Sequence, residues 1–176
     1  MRVDEHTVSS GHWLRGRKLL QGGMYGVVLI VHSWNRWLVL GLALAALTVA
    51  IRGRSAARPW TQTDQRLTRA FISSLDLQGL LGLLLYFVLS PIVPKTGSEF
   101  KAAMHVGALR FFAIEHISMM VLALITAHVA LAYAKRAPSA RARQGRVAGG
   151  VGLTLVLILS SIPWPWLATA RPLFRL

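Results

Sequence analysis

The chain has no cysteine among its 176 residues. Disulfides, thiolate metal centres and thioether-linked cofactors are therefore excluded. Acidic residues are scarce as well: six Asp and Glu stand against 20 Lys and Arg, for a formal charge of +14. Charge of either sign makes up only 15% of the chain. Such a balance raises the question of nucleic acid, but the basic residues sit in short clusters between apolar runs. That is the pattern of loops facing anionic lipid headgroups, and nucleic-acid binding is not expected. No phosphate-loop, zinc-hydrolase or protease motif is present.

Apolar residues are what the chain has in abundance. They make up 54% of it, and the mean hydropathy of +0.50 belongs to the membrane class. Four apolar segments cover 27–51, 70–93, 111–134 and 147–167. Each has about the ~20 residues that a ~30 Å hydrocarbon core requires at ~1.5 Å per residue. Lipid gives the backbone no hydrogen-bond partner, so each should be a helix. The links at 52–69, 94–110 and 135–146 are short, which favours antiparallel neighbours. The expectation is an all-α, up-down four-helix transmembrane bundle covering 24–176. Residues 1–23 are a polar, basic arm, either an interfacial helix or a flexible lead-in, with Met1 and Met24 both open as natural starts. No small-residue cleavage site follows an apolar core, so a signal peptide is not expected.

Orientation follows the basic residues. The first link holds Arg52, Arg54, Arg58, Arg66 and Arg69; the third holds Lys135, Arg136, Arg141, Arg143 and Arg146; the second holds only Lys95, Lys101 and Arg110. The first and third links are thus expected in the cytoplasm, with the termini and second link outside. Arg15, Arg17 and Lys18 run against that assignment.

The polar residues inside the spans carry the chemistry. His32 lies about five residues into the first segment and His116 about five into the third, so both sit ~8 Å below the same end of the bundle. His128 is ~18 Å deeper than His116. Asp76 and Gln78 enter from the other side to about the depth of His128, forming an inner polar group. Two level imidazoles on facing helices suit the axial positions of a haem, and such closure favours electron transfer over oxygen binding. His32 and His116 are the ligand candidates, with His128 the second choice. Arg36 and Arg110 are placed to hold propionates. Trp34, Trp37, Phe111, Phe112, Met119 and Met120 could wall the ring, and Gly41, Gly79 and Gly82 could admit it closely. Glu115 cannot face the same iron as His116, because adjacent helical residues diverge by ~100°. It is expected to point towards a neighbouring helix as electrostatic support for His116, where it would pair with Arg36 or receive a hydrogen bond.

The same residues admit blander readings. A transmembrane histidine often only bonds a neighbouring helix, and an Arg36–Glu115 pair could be a structural staple. That gives a haem-free integral accessory subunit of a larger membrane complex. A proton or small-solute pathway through His128, Asp76 and Glu115 is a third reading. His105 in the second link, and His6 and His12 in the arm, read as solvated.

The stretches "MYGVVLIVHSWNRWLVL", "DLQGLLGLLLYFVLSPI", "ALRFFAIEHISMMVLALITAHVA" and "SIPWPW" resemble a group of small four-helix bacterial membrane proteins commonly labelled cytochrome b. The likeness covers Met24 to about Trp166. It implies that His32, Arg36, Gln78, Gly82, Tyr86, Arg110, Glu115, His116 and His128 occupy motif positions. It implies one haem b, a place in the bacterial inner membrane, and a quinol, a partner membrane subunit or an outer redox protein as electron partners. An electron-transfer or accessory subunit is implied rather than a stand-alone enzyme. The resemblance implies that many members of that group carry histidine where this chain has Asp76, a poor ligand for a low-spin haem, so a second, inner haem is not expected.

Overall fold

The computed structural model describes residues 5–174, and for 5–21 it describes the backbone alone. The first four residues of the arm, and the side chains of His6 and His12, lie outside the described residues. All regular structure among the described residues is helical. Helix α1 spans Glu5–Ser55 and passes residue 23 without a break. It is followed by α2 (Gln62–Leu84), α3 (Gly97–Ala103), α4 (Gly107–Arg110), α5 (His116–Lys135) and α6 (Ala140–Ser161). Two π-helical turns, Leu85–Leu89 and Phe111–Glu115, prolong α2 and lead into α5.

Four stretches are long and apolar enough to cross a membrane: Gly22–Ser55, Gln62–Leu89, Gly107–Lys135 and Ala140–Ser161. Most of each span's surface stays outside the bundle, and that surface is leucine-, valine- and phenylalanine-rich. Apolar side chains on the outside as well as the inside are what hydrocarbon permits and water does not. The chain is a multi-pass membrane protein with an all-α bundle.

Two boundaries differ from those read off hydropathy, for local reasons. α2 begins at Gln62 rather than near 70, because Thr61 and Asp64 form a capping box and Arg58 holds the Asp64 carboxylate with two nitrogens at 2.7 Å each. These groups satisfy the first orphan amides whether or not the turn is apolar. α6 begins at Ala140, where Ser139 caps it by accepting the Ala142 N–H at 3.2 Å. It stops at Ser161, ahead of Pro163, so the WPW motif lies in a turn beyond the helix.

The helices form a ring. α5 packs most extensively on α6, and α1 packs on both α2 and α6; the α2–α5 seam is thinner. Small residues set the close contacts. Ala43, Ala123, Ala127 and Val151 are fully buried with Phe71, and a Cβ at Gly150 would collide with Ala130 Cβ. Without a hydrophobic drive between helices in lipid, such close backbone approach supplies much of the association energy. At the thin seam the helices touch at Gly79, where a Cβ would stand 2.7 Å from Leu124 Cδ1. Beyond that contact, towards the second link, they part.

Candidate functional site

The space where α2 and α5 part is a cavity of ≈ 270 Å³. Both candidate ligands border it: His32 from α1 and His116 from α5. Their ring centroids are 6.5 Å apart with an interplanar angle of 69°. Equal depth, argued from residue counts, is thus what the bundle presents. These helices are diagonal partners in the ring, so the two imidazoles meet across its centre.

Each ring is held by one polar neighbour. His116 Nδ1 lies 2.9 Å from the carbonyl oxygen of Ser161 on α6. Gln78 Nε2 lies 3.2 Å from His32 Nε2 and donates to the His32 carbonyl at 3.0 Å. Gln78 Oε1 in turn accepts from Asn35 Nδ2 at 2.8 Å, and Asn35 also donates to the Ser74 carbonyl at 3.0 Å. This chain joins α1 to α2 through buried polar groups, whose partners are obligatory where water is absent. His32 Nδ1 is buried with no hydrogen-bond partner among the described residues. Beside it is Gly82, where a Cβ would stand 3.4 Å from His32 Cε1. Glycine here leaves room for the ring.

The two π turns frame the cavity at the second-link end. Tyr86, in the first, donates its hydroxyl to the Ala113 carbonyl in the second at 2.9 Å. A π turn inserts one residue into a helix and re-aims the side chains after it, and such turns recur at functional sites. The second ends at the residue before His116.

A segment beyond α6 closes the same end. The Leu173 carbonyl accepts from Arg36 Nη2 at 2.6 Å and from Trp37 Nε1 at 3.2 Å. Phe174 stacks on Trp37 with centroids 5.3 Å apart and an angle of 16°. Arg171 lines the cavity and sets its guanidinium 5.1 Å from the centre of the Phe112 ring.

Of the residues singled out from sequence, His32, Arg36, Gln78, Gly79, Gly82, Tyr86, Phe112, His116 and Met120 border the cavity. Trp34, Trp37, Gly41, Arg110, Phe111 and Met119 do not. Trp37 anchors the C-terminal segment instead. Arg110 donates to Glu115 at 2.8 Å at the mouth, so of the two expected arrangements the carboxylate receives a hydrogen bond, and Arg110 is the donor. Its other, buried oxygen has no partner among the described residues. The inner group divides. Gln78 turns inward, whereas Asp76 and His128 form a separate half-exposed pair, 3.4 Å apart, on the outer surface of the α2–α5 seam. Residues that sequence reasoning did not assign to the site are Asn35, Ser161, Arg171 and Leu173. Asn35 had a signal, being an amide one turn from His32 inside a span. Ser161 and Leu173 act through backbone carbonyls, which any residue type supplies.

The 6.5 Å between the two ring centroids is wide enough for one metal ion, and the His32 nitrogen not engaged by Gln78 is Nδ1. An imidazole nitrogen lies ~2 Å from a first-row metal ion it ligates, so two rings on opposite sides of one metal have centroids ~6–7 Å apart. Ser161 takes one nitrogen of His116 and leaves the other towards the cavity, the usual division of labour for a ligating imidazole. The volume is just below the ~300–1,000 Å³ typical of small-molecule sites. Met120 and Leu124 line the cavity at the thin seam. Comparison with family models, characterised proteins and solved structures finds no match to this chain.

Proposed function

We propose that the protein is a b-type cytochrome-like subunit of a bacterial cytoplasmic membrane, holding one haem b between His32 and His116. It would pass electrons between a quinol or partner subunit and a redox protein at the second-link side. The observation that carries this reading is the 6.5 Å approach of two imidazoles from diagonal helices over an apolar cavity. A haem held by both histidines would supply reversible one-electron transfer rather than oxygen binding.

The chain's own residues would do the rest. Ser161 orients His116 through Nδ1, and Gln78 with Asn35 fixes the rotation of His32. Arg36 and Arg171 border the cavity and would meet carboxylates of the group. Arg110 stands beyond them, tied to Glu115. The Tyr86–Ala113 bond and the C-terminal segment limit entry of water.

The second reading, a haem-free accessory subunit, draws on the Asn35–Gln78–His32 chain, which also serves as a polar lock between α1 and α2. A route for protons draws less support, because Glu115 and the Asp76–His128 pair do not converge.

The discriminating experiment is a pyridine haemochrome assay and a reduced-minus-oxidised spectrum of the purified chain. One haem per chain is expected. His32→Ala and His116→Ala should each abolish the low-spin spectrum, while His128→Ala should leave it nearly intact. Absence of haem from the wild-type protein would favour the polar lock.

A further inference from the structure

Asp76 and His128 are turned away from the cavity. His128 Nε2 lies 3.4 Å from Asp76 Oδ1, and the two side chains keep 53% and 43% of their surface open, histidine first. Seven residues separate Asp76 from Arg69 and His128 from Lys135, so the pair sits ~10 Å inside the basic rim of the bundle. At that depth it has apolar neighbours on its own face. Leu80, one turn from Asp76, is 66% exposed, and Ile125, one turn from His128, is exposed too. Neither Asp nor His has a stem long enough to bring its polar end to the interface, as Lys and Arg do. A half-open acid–base pair facing hydrocarbon is costly whether it is ionic or shares a neutral proton.

The pair is also incompletely satisfied. A separation of 3.4 Å exceeds the ~2.7–2.9 Å of a tight charge-assisted bond. His128 Nδ1 lies 3.0 Å from the Leu124 carbonyl, which leaves only its Nε2 edge to Asp76. The second carboxylate oxygen has no donor among the described residues. One turn before Asp76, Ser73 is exposed and makes no hydrogen bond among the described residues.

The geometry points to a homodimer within the membrane, with the α2–α5 face as its two-fold interface and the Asp76–His128 pairs at its centre. An isologous contact needs a surface that complements itself. Here an acceptor, the second Asp76 oxygen, stands one turn from an uncommitted donor, the Ser73 hydroxyl, so a two-fold axis along the membrane normal sets each acceptor against the copy's donor. The same contact covers the most thinly packed seam of the bundle. Another membrane protein would have to bring its own matched donor and acceptor; a second copy brings both. In lipid, interhelical hydrogen bonds of this kind and close packing are the available forces of association.

Because the chain has no cysteine, Leu80→Cys creates its sole thiol. In native membranes a short bis-maleimide should link the Leu80→Cys chain into a homodimer. It should do so at least tenfold more than the Leu153→Cys chain, whose site on α6 is 54% exposed but off this face. Adding Asp76→Leu and His128→Leu to Leu80→Cys should remove most of the product. Leu77→Cys, on the same helix and 45% exposed, is the second probe, and each variant is first checked for a single size-exclusion peak. The proposal is overturned by equal cross-linking at residues 80 and 153, by none at both 77 and 80 in folded protein, or by product that survives loss of the pair. An adduct of Leu80→Cys with a different protein in place of the dimer overturns it too.

Discussion

His116 meets the carbonyl oxygen of Ser161 through Nδ1 at 2.9 Å, tying α5 to the last turn of α6. A carbonyl only accepts, so in the neutral ring the proton must reside on Nδ1, and Nε2 is left as an electron-pair donor. Imidazole ¹⁵N spectra of the metal-free protein at neutral pH should show His116 with a protonated Nδ1 and a bare Nε2. A signal from the Nε2–H tautomer would refute this arrangement, and with it the proposed use of Nε2 as a ligand.

The contact between α5 and α6 should be intolerant of one methyl group. Gly150→Ala places Cβ against Ala130 Cβ, and overpacking of this kind costs ~1–3 kcal/mol. This outweighs the helix-propensity gain of at most ~1 kcal/mol from replacing glycine. Ala130→Gly in the same chain should recover most of the loss, giving a clear coupling in a double-mutant cycle. Thermal or denaturant midpoints in detergent read the outcome; additive effects would mean the helices do not touch there.

Closure by the C-terminal segment rests on Phe174 stacked over Trp37 and on the Leu173 carbonyl held by Arg36 and Trp37. Such an aromatic pair is worth ~0.5–1.5 kcal/mol beyond its area. Phe174→Ala should therefore raise the fraction of open chains ~2–10-fold. A thiol placed in the cavity by Ile162→Cys reports it through the rate of maleimide labelling. An unchanged rate would show that the segment does not govern access.

The second link carries its own pH dependence. The Glu99 carboxylate accepts the N–H of Lys95 at 2.6 Å and of Thr96 at 3.2 Å, and these donors hold its carboxyl below the usual glutamate range. The folded value is depressed, so the stabilisation is present above the unfolded value of ~4.3 and is lost as pH falls through the folded one. Amide exchange over 97–103, corrected for intrinsic rates, should accelerate on acidification through that range. Glu99→Gln should show the faster exchange already at neutral pH. A profile for the variant that matches the wild type would remove Glu99 from the cap.

The number of spans, the all-α class and the level of His32 with His116 were legible in the sequence, because each depends on length and spacing. Apolar runs must be helical in lipid, and at ~1.5 Å per residue a position along a helix is a depth. Rotation about the axis is a different quantity. It depends on which helices are neighbours, and several polar partners turned on it: Glu115 bonds Arg110, Gln78 turns inward to His32, and Asp76 and His128 turn out. The π turns altered that rotation again just before His116. The partners that hold the site most directly, the Ser161 and Leu173 carbonyls, are backbone atoms present at every residue. Composition and spacing carry no record of them; only the packing of α6 and its trailing segment against α1 and α5 brings them to the histidines and to Arg36.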